Sequence, residues 1–273
     1  MTDAISVQPI ATLHHAKAAA ELFDRVWGEQ RVIGLPLLWA MASHGGQVLG
    51  AFRHDEIVGA QVGVIGLVDG LPRLHSHITG VLEEVRHQGV GHLLKTAQRD
   101  WCLERGIGSV TWTFDPMVAR NAYFNLVKLG AVAIRFHRKY YGDMQDAFNR
   151  GDRSDRLEVI WELESPRVRG ALGLEKPEEL EKPEEPGAAL GSFDFWPVLV
   201  GNDHGRPETR ELNPLQERVV VAVPEQYHSL RAEDPERARL WRDAVGDALE
   251  TAFSQGYRAV SFIREAGYVL ERS

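Results

Sequence analysis

The residues of this chain whose types and spacing could do chemistry are concentrated between residues 75 and 92. His75 and His77 precede the acidic pair Glu83 and Glu84, and the segment RHQGVGH follows at residues 86–92. The first N–H groups of a helix lack intrahelical partners and favour anions, and glycine lets a phosphate approach the backbone closely. The pattern therefore predicts an anion-binding loop, and the histidines and carboxylates are candidate proton acceptors.

Three phosphate-binding patterns compete for this loop. The pattern G-x-x-x-x-G-K-[ST] does not occur in the chain, and the dinucleotide fingerprint G-x-G-x-x-G fails because Leu94 stands in place of the third glycine. Without that glycine, the close contact between helix and sheet that it permits is not expected. The pattern [R/Q]-x-x-G-x-G/A, from Arg86 to Gly91, fits if it follows a strand and opens a helix. The alternative is an ordinary helix start punctuated by glycine.

The surrounding elements must position this loop, and their patterns predict an α/β (α+β) chain. Periodic apolar residues and turn signals give the order α, α, β, β, β, α, β, α, β, β up to about residue 163. The loop lies between a strand ending near Leu82 and a helix that ends at Gly106. Further along the chain come a strand at RVVVAVP, a helix from about Pro235 to Ser254, and two short strands.

At this point the sequence resembles a known family, the GNAT superfamily of N-acyltransferases. The resemblance rests on the Arg86–Gly91 motif with its flanking elements and on NAYFNLVKLGA, residues 121–131, and it covers roughly residues 5–165. The phrases SHITGV, TFDPMVARNAYFNLVKLGA and YVLER further resemble a bacterial subgroup of predicted acetyltransferases associated with N-acylamino acid racemases. The resemblance implies the GNAT fold, with a central mixed sheet and two splayed parallel strands.

The resemblance also implies a binding site for acyl-CoA, either acetyl-CoA or succinyl-CoA, as co-substrate, and no metal. Backbone groups of Val81 and Glu83 would pair with the pantetheine amides, and amides from about Gln88 to His92 would hold the pyrophosphate. Arg86 would either pair with a phosphate oxygen or fold back to lock the loop. The implied cofactor-binding residues are Val81, Glu83, Arg86, His87, Gln88, Gly89, Val90, Gly91, His92, Asn121 and Phe124.

The candidate catalytic groups are a base, an acceptor contact and an acid. Period-two spacing would put His75, His77 and Thr79 on one strand face, so His77 could relay a proton. Glu83 resembles the base of family members that use glutamate. Each has a structural alternative, a hydrogen-bonded core histidine for His77 and a solvated loop carboxylate for Glu83.

Asp115, at the end of the strand SVTWTF, could contact the acceptor amine. It could instead cap the following helix, with Pro116 at the first helical position. The family often has a tyrosine four residues before the helix-terminating glycine, but Leu126 occupies that position here. Tyr123, one turn earlier, is a candidate acid, and Tyr140 and Tyr141 on the next strand are alternatives. CoA thiolate is a tolerable leaving group, so a reaction without a dedicated acid is a further alternative.

The composition of the chain limits the kinds of partner that it is expected to bind. The chain has 273 residues and a formal net charge of −8, which argues against nucleic acid as a partner because phosphate binding needs clustered lysine and arginine. It lacks an apolar run of membrane-spanning length, so no membrane association is expected. Cys102 is the only cysteine, it is expected to be a filler of the core or surface, and a reducing, cytoplasmic location is expected.

The predicted domain organisation is an acyltransferase core at residues 1–165, a linker at 166–190 and a C-terminal α+β extension at 191–273. The linker contains the hexapeptide LEKPEE twice in succession, and its Pro, Glu and Lys residues bury little area. The apolar stripe of the C-terminal helix, including Trp241 and Leu249, is expected to pack within the chain, and a homodimer interface is the alternative.

The sequence therefore predicts an acyl-CoA-dependent N-acyltransferase acting on a small-molecule amine, which an amino acid would satisfy. The amine would attack the thioester directly. A CoA-binding sensor or interaction module without turnover is the alternative, because a fold does not by itself determine an activity.

Overall fold

The computed structural model describes residues 4–28, 33–142, 151–174 and 196–272. The chain forms two compact units. Of the described residues, those up to Trp112 form the first unit and those from Thr113 onward form the second. The fold is mixed α/β, as the sequence predicts, since each unit contains both helices and strands.

A mixed sheet in the order β1-β2-β3-β4-β5 forms the centre of the first unit. Neighbouring strands are antiparallel except for β4 and β5, which are parallel. The turn that joins β2 to β3 uses His54 with a φ of 53°, a conformation that short polar residues adopt more readily than β-branched ones. The strands are β1 (Ile5–Pro9), β2 (Gln47–Arg53), β3 (Glu56–Val68), β4 (Leu71–Val81) and β5 (Ser109–Phe114).

Helices pack on this sheet and supply the apolar core of the first unit. The helix α1 begins after Thr12, whose hydroxyl accepts the N–H of His15, and it buries Leu22 and Phe23 among side chains of the sheet. The helix α3 buries Val90, Leu94 and Trp101. The helices are α1 (Leu13–Trp27), α2 (Leu35–Ser43) and α3 (Val90–Leu103).

The strands of the second unit follow the order β7-β6-β11-β12-β10-β8-β9. Neighbouring strands are antiparallel except for β8 and β10, which are parallel. Ala259 of β11 pairs with Ala133 of β6, which joins the C-terminal strands to those of residues 132–162. The strands are β6 (Val132–His137), β7 (Arg156–Glu162), β8 (Val198–Asp203), β9 (Arg206–Thr209), β10 (Arg218–Val221), β11 (Tyr257–Ile263) and β12 (Gly267–Arg272).

The long helix α7 crosses this unit. Its apolar stripe, which includes Trp241, Val245 and Leu249, is fully buried, so the expected packing within the chain is confirmed. A shorter helix, α4, continues into a π-helical turn at Phe124–Lys128 and ends at Gly130, as predicted. The helices are α4 (Ala119–Tyr123), α5 (Pro166–Ala171), α6 (Tyr227–Glu233) and α7 (Pro235–Ser254).

Sequence periodicity located the long elements but missed several short ones. The predicted limits of α7 and β5 agree with the structure, whereas β1, α5, β8, β9 and α6 were not predicted. The division into a core, a linker and an extension remains a prediction, and most of the predicted linker lies outside the described residues. In the described parts of the chain, no helix is both long and apolar enough to cross a membrane.

Candidate functional site

The predicted phosphate loop is a strand–turn–helix junction in the first unit. The strand β4 ends at Val81, a 3-10 turn covers Glu83–Gln88, and α3 begins at Val90. Gly89 joins the turn to the helix with a φ of 74°, in the left-handed region that a residue with a Cβ enters only at a cost. The predicted context of the motif, between a strand and a helix, is therefore confirmed.

Free backbone donors are present where the loop becomes helix. The N–H groups of His92 and Leu93 already donate to the carbonyl oxygen of Gly89, at 2.9 and 3.0 Å. For Gly89, Val90 and Gly91, the described residues provide no backbone acceptor, as expected for the first N–H groups of a helix. Gly89 is exposed, and a Cβ on it would meet no protein atom within 4 Å, so the loop is open at this position.

Side-chain contacts hold the loop on the sheet. The amide oxygen of Gln88 accepts a 2.7 Å hydrogen bond from Arg53 of β2. Arg86 lies 3.9 Å from Glu83 of the same turn, which is the folded-back arrangement rather than an extended one. His87 is exposed. The loop is thus fixed at Gln88, while its backbone donors stay accessible.

Close packing of α3 on the sheet depends on a glycine in a strand. A Cβ on Gly59 of β3 would lie 3.0 Å from Val90 Cγ1 and 3.2 Å from Leu94 Cδ1. The close contact between helix and sheet, which the sequence was expected to lack because Leu94 replaces the third glycine, is therefore present. The space comes from Gly59, far from the loop in sequence, so a local motif could not reveal it.

A β-bulge at His77 changes which side chains share a face of β4. Val62 of β3 pairs with Ile78 and Gly63 pairs with Ser76, so His77 is an extra residue without its own partner on β3. The amide of Gln61 donates to both Ser76 and Thr79, which places those two hydroxyls on one side. The rings of His75 and His77 do lie near each other, with centroids 6.4 Å apart, but the expectation that Thr79 shares their face is wrong, because the bulge interrupts the period-two alternation.

The pairing of β4 with β5 is short. It covers Leu74 with Val110 and His75 with Thr111, while β4 continues to Val81 paired with β3. Within the described part of the first unit, the edge of β4 after His75 therefore has no strand pairing on its β5 side. This opening begins next to the bulged His77. Partial burial lowers the pKa of His77 below 6.5, which keeps the ring neutral near pH 7.

A buried polar cluster supports β4 from the side of α3. The ammonium of Lys95 donates to Ser76 at 2.9 Å and to Gln98 at 3.0 Å, and it lies 3.7 Å from the centre of the Trp112 ring. Burial lowers the pKa of Lys95 to about 7, and it raises the pKa of the neighbouring Cys102 thiol to about 12. Cys102 is fully buried, so its predicted role as a filler of the core is confirmed.

Asp115, in the second unit, is the centre of an ion-pair network. Arg242 of α7 donates to both carboxylate oxygens of Asp115, at 2.8 and 3.0 Å, and also to Asp152 at 2.5 Å. The hydroxyl of Tyr227 donates to Asp152 at 2.8 Å. Burial by itself would raise the pKa of Asp152, but Arg242 and Tyr227 lower it overall. Arg242 thus pairs with both carboxylate oxygens of Asp115 in the bidentate geometry that gives strong charge-assisted hydrogen bonds.

Asp115 does not cap the following helix. The helix α4 begins at Ala119, after Val118 at the N-cap position, whereas the carboxylate of Asp115 accepts the N–H of Met117 at 2.9 Å. The prediction of an N-cap was wrong because the Asp-Pro segment forms a separate turn before the helix. The segment FDPMVA contains both turn and helix signals, and the sequence does not separate them.

The remaining predicted residues lie on α4 and the π-helical turn that follows. Tyr123 is half-buried, and the guanidinium of Arg264 lies over its ring at 4.4 Å. Asn121 donates its N–H to the carbonyl oxygen of Val118, and Phe124 is half-buried. Leu126, where the family often has tyrosine, is buried and therefore belongs to the core.

The buried charges were missing from the sequence interpretation. Lys95 and Arg242 both occur in amphipathic helices where a charged residue normally faces solvent. A signal was available for Lys95, because its position is in phase with Gln98 and Cys102, three and seven residues later on α3. Across the described residues, no group of three or more His, Cys, Asp or Glu side chains is arranged to hold a metal ion.

Several solved structures that are similar to this chain are described as acetyltransferases. The ribosomal-protein-S18-alanine N-acetyltransferase of Escherichia coli has a TM-score of 0.48 and 12% identity, with 59% of this chain and 94% of that chain covered. A GNAT-family acetyltransferase described as putative, from Desulfovibrio desulfuricans, has a TM-score of 0.47 and 14% identity, with 59% of this chain and 99% of that chain covered. Arabidopsis thaliana Naa50, in complex with the bisubstrate analogue CoA-Ac-MVNAL, has a TM-score of 0.45 and 20% identity, with 57% of this chain and 97% of that chain covered.

Comparison of the sequence alone finds no relative. No protein-family model matches the chain, and no curated protein matches it significantly. The structural likenesses are distant, so the assignment of chemistry rests on the geometry of the chain itself.

Proposed function

We propose that the protein is an acyl-CoA-dependent N-acyltransferase of the GNAT type, acting on a small amine. The observation that carries the proposal is the loop at Gly89, where open backbone donors at the start of α3 follow a strand whose outer edge is unpaired beyond His75. Backbone N–H groups at a helix start suit a pyrophosphate, and an open strand edge suits the amides of pantetheine. CoA contains both groups.

In this proposal, Gly89, Val90 and Gly91 hold the pyrophosphate through their N–H groups. The backbone of Val81 and Glu83, at the end of β4, pairs with pantetheine. Arg86 locks the turn through Glu83 rather than serving as the main phosphate ligand, since the two side chains already face each other. Acetyl-CoA and succinyl-CoA are the donors to test first, and an amino acid is the first acceptor.

His77 is the proposed general base. Its neutral ring at pH 7 can accept the proton that the amine loses as its nitrogen attacks the thioester carbon, and the C–S bond then breaks to release CoA thiolate. Glu83 is the second choice, because its side chain is 86% exposed and its carboxylate faces Arg86. We propose that Asp115 has a positioning role through Arg242, and that Tyr123 is the available acid.

The loop is tested by Gly89→Val, which places a β-branched side chain in the open space and strains the backbone. CoA affinity, measured by calorimetry, is expected to fall at least about tenfold, or ~1.4 kcal/mol. Gly106→Val is the matched control. Gly106 has a φ of 70°, and a Cβ there would likewise meet nothing within 4 Å, but it lies at the other end of α3. Equal CoA affinity in the two variants would contradict the proposed cradle.

Turnover is tested separately, by thiol release from acetyl-CoA and succinyl-CoA against a panel of amines. His77→Gln is expected to lower turnover by about 10²-fold or more while CoA affinity is unchanged, and Glu83→Gln is the paired variant. If Glu83→Gln lowers turnover and His77→Gln does not, Glu83 is the base. CoA binding by the wild type without thiol release for any amine would favour the sensor alternative.

A further inference from the structure

The far half of the β3–β4 hairpin is an exposed apolar arm. We call residues 64–73 the distal hairpin. Five large apolar side chains in it have exposed fractions between 39% and 75%, although side chains of this kind are usually buried. They are Val64, Ile65, Leu67, Val68 and Leu71. Since neighbouring residues of a strand point to opposite sides, both faces of β3 are apolar and exposed here.

The same segment also has an open backbone edge. The pairing of β2 with β3 ends at Gln47 and Gly63, whereas β3 continues to Val68, paired with Leu71 of β4. Among the described residues, 64–68 therefore have a strand partner on one side only. An exposed apolar edge strand is an aggregation hazard, so natural proteins cover it, twist it or place charges on it. Residues 64–68 read VIGLV and contain no charge.

A second copy of the chain fits this edge. Antiparallel pairing of two β3 strands about a two-fold axis at Gly66 would set Val64 opposite Val68 and Ile65 opposite Leu67. Every pair on both faces would then be apolar, and a two-fold interface uses the same patch on both chains. Gly66 would face itself at the axis, where a Cβ meets nothing within 4 Å in the single chain.

Area and charge favour this partner over others. The exposed apolar surface of the arm is on the order of 500 Å² per chain, and two copies approach the roughly 1,000 Å² expected of a specific interface. An anionic membrane or a nucleic acid would meet a chain of net charge −8, and within the distal hairpin the cation Arg73 is offset by Asp69. We infer that the distal hairpin is a homodimerisation arm, in which residues 64–68 of two copies pair edge to edge.

The oligomeric state of the full chain tests the inference. The wild type is expected to sediment as a dimer, and Leu67→Lys is expected to raise the dissociation constant at least about a hundredfold because each dimer would bury two unpaired charges. Leu215→Lys is the matched control, since Leu215 is 89% exposed and lies in the second unit. A wild type that stays monomeric at about 100 μM, or equal effects of the two variants, would overturn the inference.

The register is tested by Gly66→Cys. The two cysteines would face each other across the axis, within the about 4.4–6.8 Å between Cα atoms that a disulfide needs. Mild oxidation is expected to give a covalent dimer. Gly108→Cys is the control, because Gly108 is exposed and a Cβ there is equally unobstructed, while the native Cys102 is buried. Equal rates of cross-linking in the two variants would refute this pairing.

Discussion

Arg242 is a single buried side chain that pairs with two carboxylates. It is 3% exposed and lies between the carboxylates of Asp115 and Asp152. A buried ion pair is an uncertain source of net stability, but removing one partner leaves uncompensated charge in a medium of low dielectric. Here the removal would leave two carboxylates close to each other.

Arg242→Met is expected to lower the free energy of unfolding by about 3–5 kcal/mol, measured by urea denaturation. Arg138→Met is the matched control, because Arg138 also pairs with α7, through Asp247 and Glu250, but its partners are largely exposed. The control is expected to lose less than about 1 kcal/mol. A similar loss in both variants would argue against the special role of the buried network.

The network also predicts a pH dependence. The pKa of Asp152 is held below its ordinary 3.8 in the folded state, so its stabilising contribution is present above that pH and is lost as pH falls through the folded pKa. The difference in stability between the wild type and Arg242→Met should therefore narrow in acid. A constant difference down to about pH 3 would contradict this account.

Lys95 predicts a second pH dependence, at neutral to alkaline pH, and here the charged form is the unfavourable one. Burial lowers its pKa from 10.5 to about 7, so between these values the unfolded chain binds a proton that the folded chain does not. Stability should rise as pH increases across this window, by roughly 5 kcal/mol in total, and the full penalty should be present below pH 7.

Lys95→Met should abolish that rise. The free energy of unfolding, measured from about pH 6 to pH 10, is expected to increase in the wild type relative to the variant. Parallel pH profiles would show that the ammonium stays charged in the fold, held by Ser76, Gln98 and the face of Trp112.

At the scale of elements, the packing of α3 on β3 positions the loop. Gly59 provides the space for Val90, the first residue of α3 and the neighbour of Gly89. The bulge at His77 acts in the same way on β4, since it turns one side chain out of the regular alternation. The contact at Gly59 depends on both β3 and α3, and the bulge depends on the register between β3 and β4. The sequence of one element alone therefore reveals neither of them.

Gly59→Ala tests this packing. The new Cβ would lie 3.0 Å from Val90 and 3.3 Å from the carbonyl oxygen of Gly80, so α3 must shift, at an expected cost of about 1–3 kcal/mol. CoA affinity should fall as well, because the shift displaces the start of the helix. In Gly66→Ala, on the same strand but in open space, the new Cβ meets no atom, so neither a packing cost nor a loss of CoA affinity is expected.

At the scale of the whole molecule, the sequence by itself determined the fold class, the long elements and the strand-to-helix context of the proposed phosphate loop. Hydrophobic periodicity and glycine placement are local, and local signals suffice for the helix α7, the strand β5 and the junction at Gly89. The resemblance to acyltransferases rested on the same kind of signal and led to the same loop.

Only the tertiary structure decided which side chains meet. Arg242 and Asp115 are far apart in sequence, as are Gly59 and Val90, and no periodicity within one element encodes such a contact. The bulge at His77 likewise depends on the register between β3 and β4, which reassigned Thr79 to the opposite face. The sequence patterns predicted a strand on each side of the turn in the distal hairpin but not its exposure, because a strand pattern specifies alternation and not whether another strand covers it.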